Sequence, residues 1–173
     1  MCKKRIQEIM PGLNPSLKKI EDQILLERGK ISPLYRTLLN SEPIAIGWES
    51  LITAIRNKSS LPNSMIELMI LRVAHLNKSN YEFEAHLIPA RKAGLTDEQI
   101  TLLKSNNYLD NFTSVENILI QAADFLTLEV ELPDSLFEKL SQHFNDKEIL
   151  EIVTTISAYN MVSRFLKALQ ISY

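Results

Sequence analysis

The chain has 173 residues, 45% of them apolar and 23% charged, with a formal net charge of −2. Such a composition and length suit one globular domain with its own core, read as residues 1–173. The charge argues against a general attraction to nucleic acid or anionic lipid, and the single cysteine, Cys2, excludes an intrachain disulfide, a CxxC redox pair and a cysteine zinc cluster.

Taken in chain order, the start signals predict helices throughout. Asn14–Pro15 is a cap followed by proline at the first helical position, with Leu17, Ile20, Ile24 and Leu25 at helical spacing and Gly29 as the stop. Ser32–Pro33 opens a short helix through about Leu39. Pro43 opens another, with Ile44, Trp48, Leu51, Ile52 and Ile55 on one stripe. Ser64 and Glu67 read as a capping box before the apolar run "LMILRVAHL". A tight polar connection, "NKSN" at 77–80, leads to a helix from about Asn80 to Ala93, stopped by Gly94. Thr96 with Gln99, and Thr113 with Glu116, make two further capping boxes, with a longer loop expected at 106–113 between them. Pro133 starts a helix ending near His143, and Asp146 leads into the longest, through about Leu169. With only four glycines and no convincing strand, the prediction is an all-α bundle of about nine helices around a central antiparallel hairpin at 64–93. No apolar run approaches the ~18 residues of a membrane span. The opening "MCKKRIQEIMPG" lacks the apolar core of a signal peptide. A cytoplasmic protein without membrane attachment is expected.

The charges inside the hairpin carry the functional question. The helix at 64–76 is apolar nearly all round, so Glu67 and Arg72 interrupt a buried surface and need partners. They lie about 140° apart around the helix axis and so serve different partners. If 64–76 and 80–93 run antiparallel, Glu67 comes level with His86, and Arg72 with Glu82. Glu82 and His86, four residues apart, share a face, while Glu84 points nearly opposite and reads as solvated surface. A histidine flanked by carboxylates binds its proton more tightly and burial opposes this, which predicts a pKa near neutrality and suits general acid–base work. Pro89 has no N–H to offer the Ala85 carbonyl, so the helix is expected to bend after His86. The bland alternative stays open: Glu67 as the third residue of a capping box, and Glu82–His86 as an ordinary helical pair with Arg72 as counterion. Three scattered histidines offer no metal pattern, and no glycine-rich phosphate loop is present.

Residues 66–100, "IELMILRVAHLNKSNYEFEAHLIPARKAGLTDEQI", resemble the signature region of the carboxymuconolactone decarboxylase family, which includes the alkylhydroperoxidase D branch. Two further stretches, 33–56 and 144–171, look similar to longer members, so the likeness covers most of the chain. The peroxidase branch carries E-x11-C-x-H-C-x3-H. Laid on this chain, the glutamate falls on Glu67 and the last histidine on His86, while Ser79 and Glu82 stand at the two cysteines and Tyr81 at the middle histidine. Neither Ser79 nor Glu82 can form a sulfenic acid or a disulfide. The decarboxylase branch implies histidine and carboxylate groups acting without thiol, metal or organic cofactor. The resemblance therefore implies an alkylhydroperoxidase D-like fold with His86, Glu67 and Glu82 as catalytic residues, and Tyr81, Arg72 and Ser79 supporting them or binding substrate. It implies no cofactor, a small-molecule substrate and a homo-oligomer, trimer or hexamer. The last expectation fits the apolar surplus of Met65, Ile66, Leu68, Met69 and Leu71. Three functions follow: acid–base chemistry such as decarboxylation or lactone isomerisation, an antioxidant peroxidase role in which Cys2 would be the available thiol, or a non-catalytic ligand-binding or scaffold subunit.

Overall fold

The computed structural model describes residues 5–105 and 109–171. Cys2 lies outside them, as do residues 106–108 of the expected loop. Within that loop Leu109–Asn111 form a 3-10 turn. The described residues hold nine α-helices and no strand: α1 (Lys18–Arg28), α2 (Pro33–Leu38), α3 (Glu42–Asn57), α4 (Asn63–Leu76), α5 (Asn80–Lys92), α6 (Asp97–Leu102), α7 (Ser114–Leu128), α8 (Asp134–His143) and α9 (Asp146–Leu169). The all-α reading stands. Residues group into two compact units, one of residues 5–58 and 166–171 and the other Ser59–Phe165.

In the first unit, α3 packs against α1 and α2. Its centre is polar. The Arg28 guanidinium donates to the Tyr35 hydroxyl at 3.2 Å, to Glu49 at 3.2 Å and to Thr53 at 2.7 Å. Tyr35 and Thr53 in turn donate to the Glu49 carboxylate. Both Glu49 oxygens and the Arg28 Nε and Nη2 atoms thus have partners, as burial of an ion pair requires. Burial, and then the hydrogen bond to Glu49, push the Tyr35 phenol well above its ordinary range.

In the second unit, α4 is the axis. Every residue from Ile66 to Ala74 is buried, and α5 and α7 pack along it. Its all-round apolar pattern is thereby used up: Leu68, Met69, Ile70 and Leu71 are enclosed in the single chain. The surplus apolar surface that suggested a further copy is not on this helix. The turn between α4 and α5 is a Schellman motif with Lys78 in the left-handed region (φ 53°), its N–H bonding the His75 carbonyl and the Ser79 N–H the Ala74 carbonyl. Gly94 (φ 103°) closes α5 in the same way, with Leu95 N–H reaching the Ala90 carbonyl. Both capping boxes downstream form as read, Thr96 with Gln99 and Thr113 with Glu116. The box expected at Ser64–Glu67 does not. Helix α4 starts one residue earlier, after an extended Pro62, with no side-chain cap. Instead, the Glu67 side chain is inside the unit, free to serve α5.

Candidate functional site

Glu67 stands in the second turn of α4 and His86 in the middle of α5, and the antiparallel hairpin brings them level. Glu67 Oε2 lies 2.6 Å from His86 Nδ1. One turn back on α5, Glu82 Oε1 lies 3.1 Å from the other ring nitrogen, Nε2. Both nitrogens of one imidazole are therefore held by carboxylates. All three side chains are buried, at 6% exposure for Glu67, 5% for Glu82 and 4% for His86. The ring also meets the Tyr159 ring edge-on, with centroids 5.3 Å apart at 87°. An isolated histidine this deep would lose its proton. Burial does push the His86 pKa down, but the hydrogen bonds and charges of Glu67 and Glu82 outweigh it and raise the pKa to about 9. This corrects the expectation of a value near neutrality. At pH 7 the ring is an imidazolium donating to two carboxylates, a held proton rather than a poised base.

Arg72 does not join this group. Its Nε and Nη2 reach the two oxygens of Asp124 on α7, at 2.6 and 3.0 Å. Its Nη1 donates to the Leu103 and Ser105 carbonyls, each at 2.8 Å. An antiparallel hairpin sets Arg72 and Glu82 at one height, but height is not direction. Arg72 leaves α4 on the side facing α7, where a bidentate carboxylate and the Leu103 and Ser105 carbonyls match its planar fork. Arg72 is thus a tie between elements of the unit, not the counterion of Glu82. Ser79, the residue before α5, shares the stripe of Glu82 and His86 at i, i+3 and i+7. Its hydroxyl is buried and has no hydrogen-bond partner among the described residues. Tyr81 is half-buried on α5, and Glu84 is exposed as expected.

Two participants lie outside what the hairpin could disclose. Tyr159 packs on the His86 ring from α9, 73 residues away in sequence. Next to it, Asn160 accepts from Asn77 Nδ2 at 2.9 Å and donates to Thr127 at 2.9 Å and to the Ile156 carbonyl at 3.0 Å. Asn160 thus fixes α9 against α7 and the hairpin turn, and with it the position of Tyr159. No group of three or more histidine, cysteine or acidic side chains among the described residues is placed to hold a metal ion. No helix among them is long and apolar enough to cross a membrane.

The nine helices and the buried hairpin define an alkylhydroperoxidase D-like all-α fold. Residues 33–171 contain the stretches that pointed to it, and comparison with known proteins agrees. The sequence model of the carboxymuconolactone decarboxylase family matches residues 43–124, which include all of the hairpin. The uncharacterized protein YdfG of Bacillus subtilis (strain 168) is 26% identical over 109 residues, 62% of this chain and 74% of its own. Among solved structures, a protein of unknown function from Agrobacterium tumefaciens, named a putative antioxidant defence protein AhpD, is 26% identical with a TM-score of 0.72, over 78% of this chain and 92% of its own. An uncharacterized peroxidase-related protein from Silicibacter sp. TM1040 superposes with a TM-score of 0.82 over 99% and 94% of the two chains. At 18% identity it speaks for the fold. The match over residues 43–124 supports the family resemblance read in the sequence.

Proposed function

We propose that Glu67, His86 and Glu82 form the acid–base centre of an enzyme that moves a proton on a small organic substrate, in a decarboxylation, a lactone isomerisation or a related reaction. The observation that carries this reading is the double clamp: one buried imidazole held at 2.6 Å and 3.1 Å by two carboxylates. A purely structural ion pair needs one partner, and a second buried carboxylate adds desolvation that a core gains nothing from. In this reading Glu67 positions the ring through the shorter contact. The longer, Nε2 contact is the one that opens. Glu82 takes the proton from His86 Nε2 or hands one back, so the imidazolium is the proton reservoir and Glu82 the group nearest the substrate. For a decarboxylation, the carbon–carbon bond to the carboxylate breaks and carbon dioxide leaves. The electron pair stays on the carbon, which takes the proton. For an isomerisation, one carbon loses a proton and another gains it.

The test is His86→Gln, which keeps the ring's approximate volume and a hydrogen bond to Glu67 but holds no exchangeable charge. Substrates are sought with the wild type among β-keto acids and unsaturated lactone carboxylates. Turnover of the substrate found should fall by about 10²–10⁴-fold in the variant with the helical circular dichroism unchanged. Wild-type turnover should decline as pH rises through about 9, where the ring gives up its proton. A folded His86→Gln protein that retains full turnover would remove the proposal.

The second reading is the antioxidant one, favoured by the name given to the Agrobacterium tumefaciens neighbour. Reduction of a peroxide by two thiols gives an alcohol, water and a disulfide, and the positions of the branch's two thiols are Ser79 and Glu82 in this chain. Peroxide consumption with a thiol reductant, compared between the wild type and Cys2→Ser, separates the two readings: consumption lost in Cys2→Ser supports the antioxidant role.

A further inference from the structure

A cleft of about 360 Å³ opens on the second unit, and Ser79, Glu82 and His86 are not among the residues that line it. His75, Lys78, Phe83, Glu84, Leu87 and Lys104 line it. Its size is that of a small-molecule pocket. Its charge is unlike that of the whole chain: two ammonium groups and one carboxylate stand around it, in a protein of net charge −2. The Lys104 ammonium sits 4.4 Å above the centre of the Phe83 ring. That contact holds the cation over an apolar wall completed by Leu87. From these features we infer that the cleft binds a small organic monoanion, a single carboxylate carried on an apolar or aromatic body. Lys104 and Lys78 take the carboxylate, and Phe83 and Leu87 take the body. Glu84 at the rim repels a second negative charge on the ligand.

His75 is the built-in reporter. It is the only histidine in the cleft and one of three in the chain. Burial, then Arg72 and Lys104, hold its pKa below the ordinary value, with Asp124 opposing them. Lys78 and Glu84 complete the charged groups around the cleft. The ring is therefore neutral at pH 7 and offers an N–H to an anion. An anion bound beside it favours the protonated ring, so anion affinity rises as pH falls. This inference is independent of the reading at His86, because none of the cleft residues belongs to that centre.

The experiment is a ¹H–¹³C NMR titration of the His75 ring in the wild-type protein, with benzoate as probe and acetate and inorganic phosphate as controls. Benzoate should shift the His75 resonances saturably and raise its pKa, leave the His143 ring unmoved, and bind at least several-fold more tightly than acetate or phosphate. Lys104→Met should raise the His75 pKa in the free protein, because a repelling cation is gone, and weaken benzoate by roughly fivefold to tenfold. Lys78→Met should also weaken it, and Glu84→Gln should tighten it. Affinity for benzoate no better than for acetate and phosphate, or unchanged in both lysine variants, would overturn the assignment. All three substitutions are at exposed positions, so the fold is not at stake in the test.

Discussion

The state of His86 can be read as stability without knowing any substrate. In the unfolded chain its pKa is near the ordinary 6.5, and in the folded protein it is about 9. Between those two values the folded state holds one more proton than the unfolded state. The unfolding free energy therefore falls as pH rises, by about 1.4 kcal/mol per pH unit. The stabilisation is fully present below pH 6.5 and is lost through pH 9, a total of about 3 kcal/mol. Glu67→Gln is the informative perturbation. The amide still accepts a hydrogen bond from Nδ1 but carries no charge, so burial regains ground against Glu82 alone and the His86 pKa falls. Urea denaturation from pH 6 to pH 10 should show the wild type losing stability along this slope and Glu67→Gln largely lacking it. The two proteins then differ most at pH 6 and converge toward pH 10. Other groups titrating in this range are common to both proteins and cancel in the difference. A difference between them that does not change with pH, or a wild-type His86 ring titrating at or below 6.5 by NMR, would refute the clamp as the cause.

Two further substitutions probe the buried charges elsewhere. Arg72→Met removes the bidentate partner of Asp124 and the donor to the Leu103 and Ser105 carbonyls, and should lower the urea-derived unfolding free energy by about 3 kcal/mol. A loss under about 1 kcal/mol, as for a surface pair, would show that the guanidinium is not the tie described. In the first unit, Glu49→Ala leaves the Arg28 charge buried and strips Tyr35 and Thr53 of their acceptor, whereas Tyr35→Phe removes one donor. Denaturation should report about 3–5 kcal/mol for the first and about 1 kcal/mol for the second, and equal losses would contradict the network.

Much of the fold was legible because its punctuation is local. Proline at the first helical turn, glycine in the left-handed stop at Gly94, and reciprocal caps at Thr96–Gln99 and Thr113–Glu116 each act within about four residues. Where local signals competed with burial, burial won. Ser64 and Glu67 have the spacing of a capping box, but a carboxylate that can bond a buried imidazole gains more than one that bonds an exposed backbone N–H, and Glu67 goes to His86. The reciprocal cap of Asn145 and Glu148 at the head of α9, with bonds of 2.9 and 3.1 Å, was equally available in the sequence and went unread.

The site was legible only in the dimension that the hairpin fixes. Antiparallel helices joined by a short turn set the height of every residue, so Glu67 opposite His86 followed from numbering alone. They do not set the azimuth at which a third helix arrives. Arg72 therefore looked like a neighbour of Glu82 until α7 supplied Asp124, and Tyr159 could not be seen from any spacing because α9 delivers it from 73 residues away. The pKa is expected near neutrality when burial is set evenly against the flanking carboxylates, a balance that spacing alone does not weigh. Both carboxylates act on the ring, and the balance moves to a proton held up to about 9. The charge state of the centre is thus set by its two acids acting against burial.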